Sequence, residues 1–195
     1  MKLAVIYIPG LGDRRTTGQL KAVQLWRIYG VRPELFVVRW FDSEPWPAKL
    51  QRLLKRIDEL VVRGFAIGLV ASSAGAAAAL NAYAARKKVI SGVVLIAGKV
   101  NRPQAIGSGY SGPNPSFLTA AYDSQAALAS LTPADRSRIL TRSGMRDMVV
   151  PKHDSHIPGA KNRIVPSFGH LATIASQMVL GAPTFIHFIK KQATA

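Results

Sequence analysis

Short apolar runs rich in β-branched residues alternate along this chain with longer segments whose apolar residues recur every three to four positions. Runs of the first kind predict buried strands, and segments of the second kind predict helices packed against them. The predicted strands cover residues 2–8, 35–40, 65–71, 89–97, 138–142 and 162–165. The predicted helices cover residues 16–29 and 46–63, a helix ending near 88, residues 117–131, a short helix from 132, and 171–190 with an interruption at 181–183.

This alternation predicts an α/β fold with one doubly wound, mostly parallel sheet of six strands and helices on both faces. The continuous apolar sequence of residues 93–96 is typical of a strand that is buried on both sides. No internal repeat or domain boundary interrupts the pattern, so residues 1–195 are predicted to form a single domain. In such sheets, sites lie beyond the carboxyl ends of the strands.

One long segment departs from this pattern. Residues 99–116 are rich in Gly, Pro, Asn and Ser, and no core periodicity survives in them. A loop of this length inside a compact domain is usually functional or mobile. The segment is therefore a candidate for a functional element.

The third predicted strand ends in a turn made of small residues around a pair of serines. Residues 71–75, Ala-Ser-Ser-Ala-Gly, fit a relaxed form of the G-x-S-x-G turn, in which a serine is exposed between a strand and a helix. Larger side chains at the two flanking positions would clash with neighbouring backbone, and Ala71 is the smallest replacement for the first glycine. This pattern favours Ser73 over Ser72 as the exposed serine.

An acid and a histidine follow later strands. Asp147 lies in a turn after the fifth predicted strand, and His170 follows the sixth. A serine needs a base within hydrogen-bond reach to act as a nucleophile, and histidine is the usual base. Asp154 is a second candidate for the acid, and Asp147 can also be explained as a residue that closes an Asx turn.

Four motifs in this order resemble those of small serine hydrolases of the α/β-hydrolase superfamily, and the resemblance spans nearly the whole chain. They are residues 7–12 (Tyr-Ile-Pro-Gly-Leu-Gly), residues 71–75, residues 144–151 (Gly-Met-Arg-Asp-Met-Val-Val-Pro) and residues 168–170 (Phe-Gly-His). The order serine, acid, histidine is the one that this fold uses. Compared with larger relatives, the chain is expected to lack the family's first two strands and a large cap domain. The resemblance implies a small lid at residues 99–116, because such families insert caps after this strand.

The resemblance implies a cofactor-independent hydrolase that cleaves esters or thioesters through an acyl-enzyme. It implies Ser73 as nucleophile, His170 as base and Asp147 as the acid that orients His170. The backbone N–H groups of Leu11 and Ala74 would stabilise the oxyanion. The residues expected to line the substrate pocket are Gly10, Gly12, Tyr110 and Phe117.

Charge is the strongest feature of the composition. With 26 Lys and Arg against 10 Asp and Glu, the formal net charge is +16. This charge favours an anionic or membrane-associated substrate. The basic residues form no long run or aromatic-interleaved stripe, so nucleic-acid binding is not favoured. The uncharged span of residues 64–85 is better explained by a strand and a helix than by a membrane helix, and a soluble, cytoplasmic protein is expected.

No cofactor or metal site is predicted. The chain has no cysteine. The loop of residues 9–13 fails the dinucleotide motif because Arg15 occupies the third glycine position. His153 and His156 have no evident third ligand, which favours a solvated loop. Two other functions stay open: a catalytically inactive binding protein with the same fold, and a basic protein that binds nucleic acid or an anionic surface.

Overall fold

Six parallel strands form the sheet at the centre of the computed structural model, which describes residues 2–194. The strands are β1 (Lys2–Ile8), β2 (Arg32–Leu35), β3 (Phe65–Ser72), β4 (Ile90–Ile96), β5 (Ile139–Arg146) and β6 (Lys161–Phe168). They lie side by side in the order β2-β1-β3-β4-β5-β6, and every neighbouring pair is parallel. The predicted doubly wound parallel sheet is therefore confirmed.

Helices cover both faces of this sheet. They are α1 (Thr17–Leu25), α2 (Trp46–Val62), α3 (Gly75–Arg86), α4 (Ser108–Ser111), α5 (Pro115–Ser130), α6 (Pro133–Ser137), α7 (Lys152–Ser155), α8 (His170–Val179) and α9 (Ala182–Thr194). Two short 3-10 turns, Trp26–Tyr29 and Pro103–Ala105, complete the secondary structure of the described residues. The segment predicted as a loop at 99–116 thus contains one 3-10 turn, the four-residue helix α4 and the first two residues of α5.

Two apolar cores, one on each face, explain why the central strands are continuously apolar. On one face, Leu53 and Ile57 of α2 and Tyr83 of α3 pack against the strands. On the other face, the ring of Trp26 meets Phe185 of α9 edge-on at 5.2 Å. Burial on both faces removes the need for polar alternation along a parallel strand.

The second predicted strand is wrong in its position. Residues 35–40 were expected to be extended, whereas β2 covers Arg32–Leu35 and includes Pro33, which an edge strand tolerates because one side of it needs no partner. Pairing with β1 ends at Phe36, whose N–H donates to the carbonyl of Tyr7. The chain then leaves the sheet, and Arg39 takes a left-handed φ of 65°.

Asp13 holds this departing segment in place. Its buried carboxylate accepts the backbone N–H groups of Arg39 (2.7 Å) and Trp40 (3.3 Å). Burial raises the pKa of the Asp13 carboxyl above its usual value, and the two hydrogen bonds only partly offset this. The side chain therefore ties the loop after β1 to the loop after β2.

The last predicted helix is divided, as its Gly-Ala-Pro sequence indicated. A Cβ atom at Gly181 would lie 2.7 Å from the backbone carbonyl oxygen of Gln177, so glycine is favoured between α8 and α9. Within residues 2–194, no single helix has the length and apolar character to cross a membrane. Helices α8 and α9 satisfy that test only as a pair, with a bend of 66° between them.

Candidate active site

Ser73 occupies a strained turn between β3 and α3. Its φ of 51° is left-handed, which is uncommon for a residue with a side chain and concentrates at functional sites. The turn is held by a hydrogen bond from Ser73 N–H to the Ile96 carbonyl, 3.1 Å long. A Cβ atom at Gly75 would lie 2.3 Å from the Ile8 carbonyl oxygen, so a larger residue would push α3 away from β1.

The two adjacent serines differ in what their hydroxyl groups contact. Ser72 is buried, and its Oγ lies 2.7 Å from the phenol oxygen of Tyr7 on the neighbouring strand. Burial raises the pKa of Tyr7 to about 12, so the phenol is neutral and the two hydroxyls share a hydrogen bond. Ser73 is partly exposed and lines a cavity of about 540 Å³. Ser72 also contributes to the lining of this cavity, so the two serines differ in burial and in the partner of the hydroxyl group. The choice of Ser73 as the nucleophile stays a prediction.

Asp147 and His170 form a hydrogen-bonded pair at the carboxyl ends of β5 and β6. The Nδ1 atom of His170 lies 2.7 Å from Oδ2 of Asp147. The other oxygen, Oδ1, accepts the backbone N–H groups of Val149 and Val150 at 2.9 and 2.8 Å. Asp147 therefore closes a turn with one oxygen and contacts the imidazole with the other. The Asx-turn contacts are present, and the role of Asp147 as the catalytic acid stays a prediction.

His170 begins α8 immediately after a glycine with unusual backbone geometry. Gly169 has a φ of +91°, which a residue with a side chain rarely adopts, and its N–H donates to the Arg146 carbonyl at 2.7 Å. This bond joins the end of β6 to the end of β5. The start of α8 is thereby fixed beside the turn that carries Asp147.

Ser73 and His170 line the same cavity, but the structure does not join them by a hydrogen bond. Within residues 2–194, neither ring nitrogen of His170 lies within 3.5 Å of Ser73 Oγ in hydrogen-bonding geometry. Such contacts are often long in proteins without substrate and tighten when substrate binds. The hydrogen bond between Asp147 and His170 is therefore formed, whereas the hydrogen bond between His170 and Ser73 is not.

The glycine-rich loop after β1 lies directly against Ser73. A Cβ atom at Gly10 would come within 2.8 Å of Ser73 Cβ and 3.3 Å of its Oγ, so this position requires glycine. Gly12 also lines the cavity, but a Cβ atom there would meet nothing within 4 Å. Within the described part of the chain, no acceptor takes the backbone N–H of Leu11 or of Ala74, and both residues line the cavity.

Two aromatic residues predicted for the pocket lie in its wall in different environments. Phe117 of α5 is almost fully buried, and its ring packs edge-on against Trp40 with a centroid distance of 5.6 Å. Tyr110 of α4 is half exposed. Both line the cavity, and because Tyr110 and Ile106 belong to residues 99–116, this segment contributes part of the cavity wall.

Asp154, the other candidate acid, is bonded to two cations instead of to His170. Its Oδ2 lies 2.7 Å from Lys99 Nζ, and its Oδ1 lies 2.6 Å from Arg102 Nε. Burial alone would raise the pKa of the Asp154 carboxyl, but the hydrogen bonds from Arg102 and Lys99 outweigh burial and hold it below its usual value. The carboxylate is thus ionised at neutral pH.

Lys99 and Arg102 line the cavity, and the sequence did not identify them as site residues. Lys99 follows β4, and the carboxyl ends of parallel strands meet at one edge of the sheet, so its position offered a usable signal. Arg102 offered none. Met148 and Leu171 also line the cavity with highly exposed apolar side chains, 92% and 78% respectively.

The His-Asp-Ser-His sequence was expected to be a solvated loop, and this is wrong for its central residues. It overlaps helix α7, and Asp154 and Ser155 are buried. The side-chain nitrogen of Asn101 donates to the carbonyl groups of His153 and His156, which ties α7 to the segment after β4. Between residues 2 and 194, the acidic and histidine side chains form no group of three or more suited to a metal ion.

Solved structures with low sequence identity share this fold. One, from work on LipS and LipT, two metagenome-derived lipolytic enzymes, is 14% identical, with a TM-score of 0.71 over 97% of this chain and 94% of the other. Est1E from Butyrivibrio proteoclasticus is 14% identical, with a TM-score of 0.66 over 100% and 89%.

A third structure, MGS-MChE2, is described as an α/β hydrolase enzyme from the metagenome of sediments from the lagoon of Mar Chica, Morocco. It is 13% identical, with a TM-score of 0.66 over 99% of this chain and 93% of the other. The sequence matches no family model and no curated protein. At these identities, the likeness establishes the shared fold.

Proposed function

Because this chain has the α/β-hydrolase fold, we propose that it is a serine hydrolase that cleaves carboxylic esters or thioesters through an acyl-enzyme intermediate. One observation carries the proposal. A histidine bonded to a carboxylate at 2.7 Å shares a cavity with a serine held at a left-handed φ. The similar structures described as lipolytic or as an α/β hydrolase enzyme support the same chemistry.

In the proposed first step, Ser73 Oγ attacks the carbonyl carbon of the substrate while His170 Nε2 takes the hydroxyl proton. The new C–O bond makes a tetrahedral intermediate with a negatively charged oxygen. Collapse of this intermediate breaks the bond to the alcohol or thiol, which leaves with the proton from His170. Water then repeats the sequence on the acyl-enzyme, and it releases the acid and restores Ser73.

Asp147 serves this cycle by holding His170. An ionised carboxylate 2.7 Å from Nδ1 keeps the proton on that nitrogen and leaves Nε2 free to accept the serine proton. Because Oδ1 of Asp147 is fixed by two backbone N–H groups, the carboxylate resists rotation. The same charge stabilises the imidazolium that forms in the transition state.

The oxyanion is assigned to the backbone N–H groups of Leu11 and Ala74. Both lack an acceptor among residues 2–194 and belong to residues that line the cavity beside Ser73. Donors that are already in place need no rearrangement as charge develops, and losing one typically lowers the rate about a hundredfold or more.

Residues 99–116 are assigned as a small lid within a single domain. Tyr110 and Phe117 are assigned to the acyl pocket, together with Gly10 and Gly12. The segment is tied down at its start, since the N–H groups of Val100 and Asn101 both donate to the Asp154 carbonyl at 2.9 Å. The mostly exposed helix α4 lies in its middle. We expect movement of this segment to be greatest around α4.

A fluorophosphonate probe tests the proposal, because it forms a covalent bond with an activated serine. Intact-mass spectrometry should show one adduct on the wild-type protein and none on Ser73→Ala. Ser72→Ala is the matched control: it removes a hydroxyl one residue away and should still be labelled. The control loses the partner of buried Tyr7, at a cost of about 1–3 kcal/mol in unfolding free energy, so its folding is checked by thermal melting.

The proposal fails if the folded wild-type protein gains no adduct, or if Ser73→Ala is labelled as strongly as the wild type. Hydrolysis of p-nitrophenyl esters that is lost in Ser73→Ala and retained in Ser72→Ala would extend the result from labelling to turnover.

A further inference from the structure

One wall of the cavity carries positive charge to which the proposed hydrolysis gives no role. Lys99 and Arg102 lie on this wall, and the Asp154 carboxylate bridges them. Two cations share one ionised carboxylate, so the cluster keeps a net positive charge. Lys99 and Asp154 are largely buried, whereas the Arg102 side chain is 48% exposed, which leaves its guanidinium accessible to a bound molecule.

The rest of the cavity does not neutralise this charge. Among the described residues that line it, Asp154 is the only Asp or Glu. An ammonium group has three donors and a guanidinium has five. Asp154 accepts one hydrogen bond from each of these side chains, and Arg102 additionally contacts His153, which leaves further N–H donors of both side chains without a partner within residues 2–194.

The cluster is also close to the proposed nucleophile and held in position. The backbone N–H of Lys99 donates to the carbonyl oxygen of Ser73 at 3.2 Å, so the cationic segment begins beside the reacting residue. Asn101 binds two carbonyl groups of the α7 region, and Asp154 lies on α7 itself. Lys99 and Arg102 therefore lie in the wall of the cavity that Ser73 also lines, and Asp154 and Asn101 tie this wall to α7.

We propose that the cavity selects esters that carry an anionic group, a carboxylate or a phosphate, which binds Arg102 and Lys99 while the ester carbonyl lies at Ser73. This inference rests on the proposed hydrolase function and adds a substrate class to it. Arginine suits this task because its planar guanidinium donates two parallel hydrogen bonds to a carboxylate or phosphate.

Matched ester pairs test the inference. Mono-p-nitrophenyl adipate ends its acyl chain in a carboxylate, whereas p-nitrophenyl hexanoate ends a chain of the same length in a methyl group. The acetate esters of 4-hydroxybenzoate and 4-hydroxybenzamide place the anion or a neutral amide on the alcohol side. In at least one pair, wild-type kcat/KM should favour the anionic ester about tenfold, and Arg102→Gln should remove most of that ratio.

Arg63→Gln is the control for overall charge. Arg63 is exposed just after α2, before β3 begins, and therefore lies at the opposite end of the sheet from the cavity. It should keep the wild-type ratio. Equal loss of the ratio in both variants would show that net charge, and not the cavity wall, attracts anions, and would overturn the inference. Arg102→Lys should keep more of the preference than Arg102→Gln does, because lysine keeps the charge but lacks the two parallel N–H donors of the guanidinium.

Binding of the same esters to Ser73→Ala protein, measured by calorimetry, separates this inference from the proposed hydrolysis. Tighter binding of an anionic ester that depends on Arg102 supports the anion site even where turnover is absent. Ser73-dependent hydrolysis without preference in either pair overturns the anion site and leaves the hydrolase proposal intact.

Discussion

Two aspartates that follow β5 occupy opposite electrostatic settings. Asp147 contacts one partially buried imidazole and two backbone N–H groups. Asp154 contacts the cations Lys99 and Arg102. Both are buried and both lie at the edge of the sheet where the strands end. They therefore differ in their partners and not in their depth.

We propose that this difference separates a carboxylate that serves proton transfer from one that positions Lys99 and Arg102 in the cavity wall. A carboxylate facing a histidine controls which ring nitrogen carries the proton, so its loss changes proton transfer. A carboxylate facing permanent cations controls their position and net charge, so its loss changes stability and the binding of anions. The predictions below test this division, beginning with the largest effect.

Asp147→Asn should lower kcat for a neutral p-nitrophenyl ester by about 10³- to 10⁴-fold. The amide oxygen can still accept the N–H groups of Val149 and Val150, which turns the amide NH₂ group toward His170. The ring must then carry its proton on Nε2, and Nε2 can no longer accept the proton of Ser73. Steady-state kinetics with folding checked by circular dichroism measures this loss.

In the same assay, the factor by which Asp154→Asn lowers kcat should be at least about a hundredfold smaller than the factor for Asp147→Asn. Asp123→Asn, an exposed acid on α5, is the control for a change of one charge and should match the wild type. Comparable losses in the Asp147 and Asp154 variants would refute the division between the two carboxylates.

Asp154→Asn should instead lower the free energy of unfolding by roughly 1–3 kcal/mol, because it leaves the largely buried Lys99 ammonium without its carboxylate partner. We expect a smaller loss of unfolding free energy than for a fully buried ion pair, because the Arg102 side chain is half exposed. Urea denaturation measures the change, and Asp123→Asn should remain within about 0.5 kcal/mol of the wild type. A stability equal to that of the control would contradict the assigned role.

The smallest effect is the pH dependence of this stabilisation. The folded-state pKa of Asp154 is lowered, so its ionised form stabilises the protein above the ordinary pKa near 3.8, and this contribution is lost as pH falls through the folded-state pKa. The difference in unfolding free energy between wild type and Asp154→Asn should shrink from about pH 6 to about pH 3. A difference that stays constant over this range would show that the charge of Asp154 contributes nothing.

Local sequence predicted most of the sheet because burial and turns leave local patterns. The apolar run of β3 and the small residues around Ser73 indicate a buried strand that turns sharply, and the structure has this turn at a left-handed φ. The exception is residues 35–40, where an apolar run leaves the sheet. A distant carboxylate, Asp13, binds the backbone there, and no local pattern reports such a contact.

The sequence by itself determined the order of strands and helices along the chain and a short list of polar residues at strand ends. It also determined the glycines Gly10 and Gly75, where backbone segments approach each other closely. These follow from steric and hydrophobic rules that act over a few neighbouring residues. The tertiary structure decided that His170 pairs with Asp147, that Ser72 bonds to Tyr7, and that Lys99 and Arg102 enter the cavity wall. Sheet order brings these partners together across long stretches of chain, and hydrogen bonds between distant residues depend on that packing.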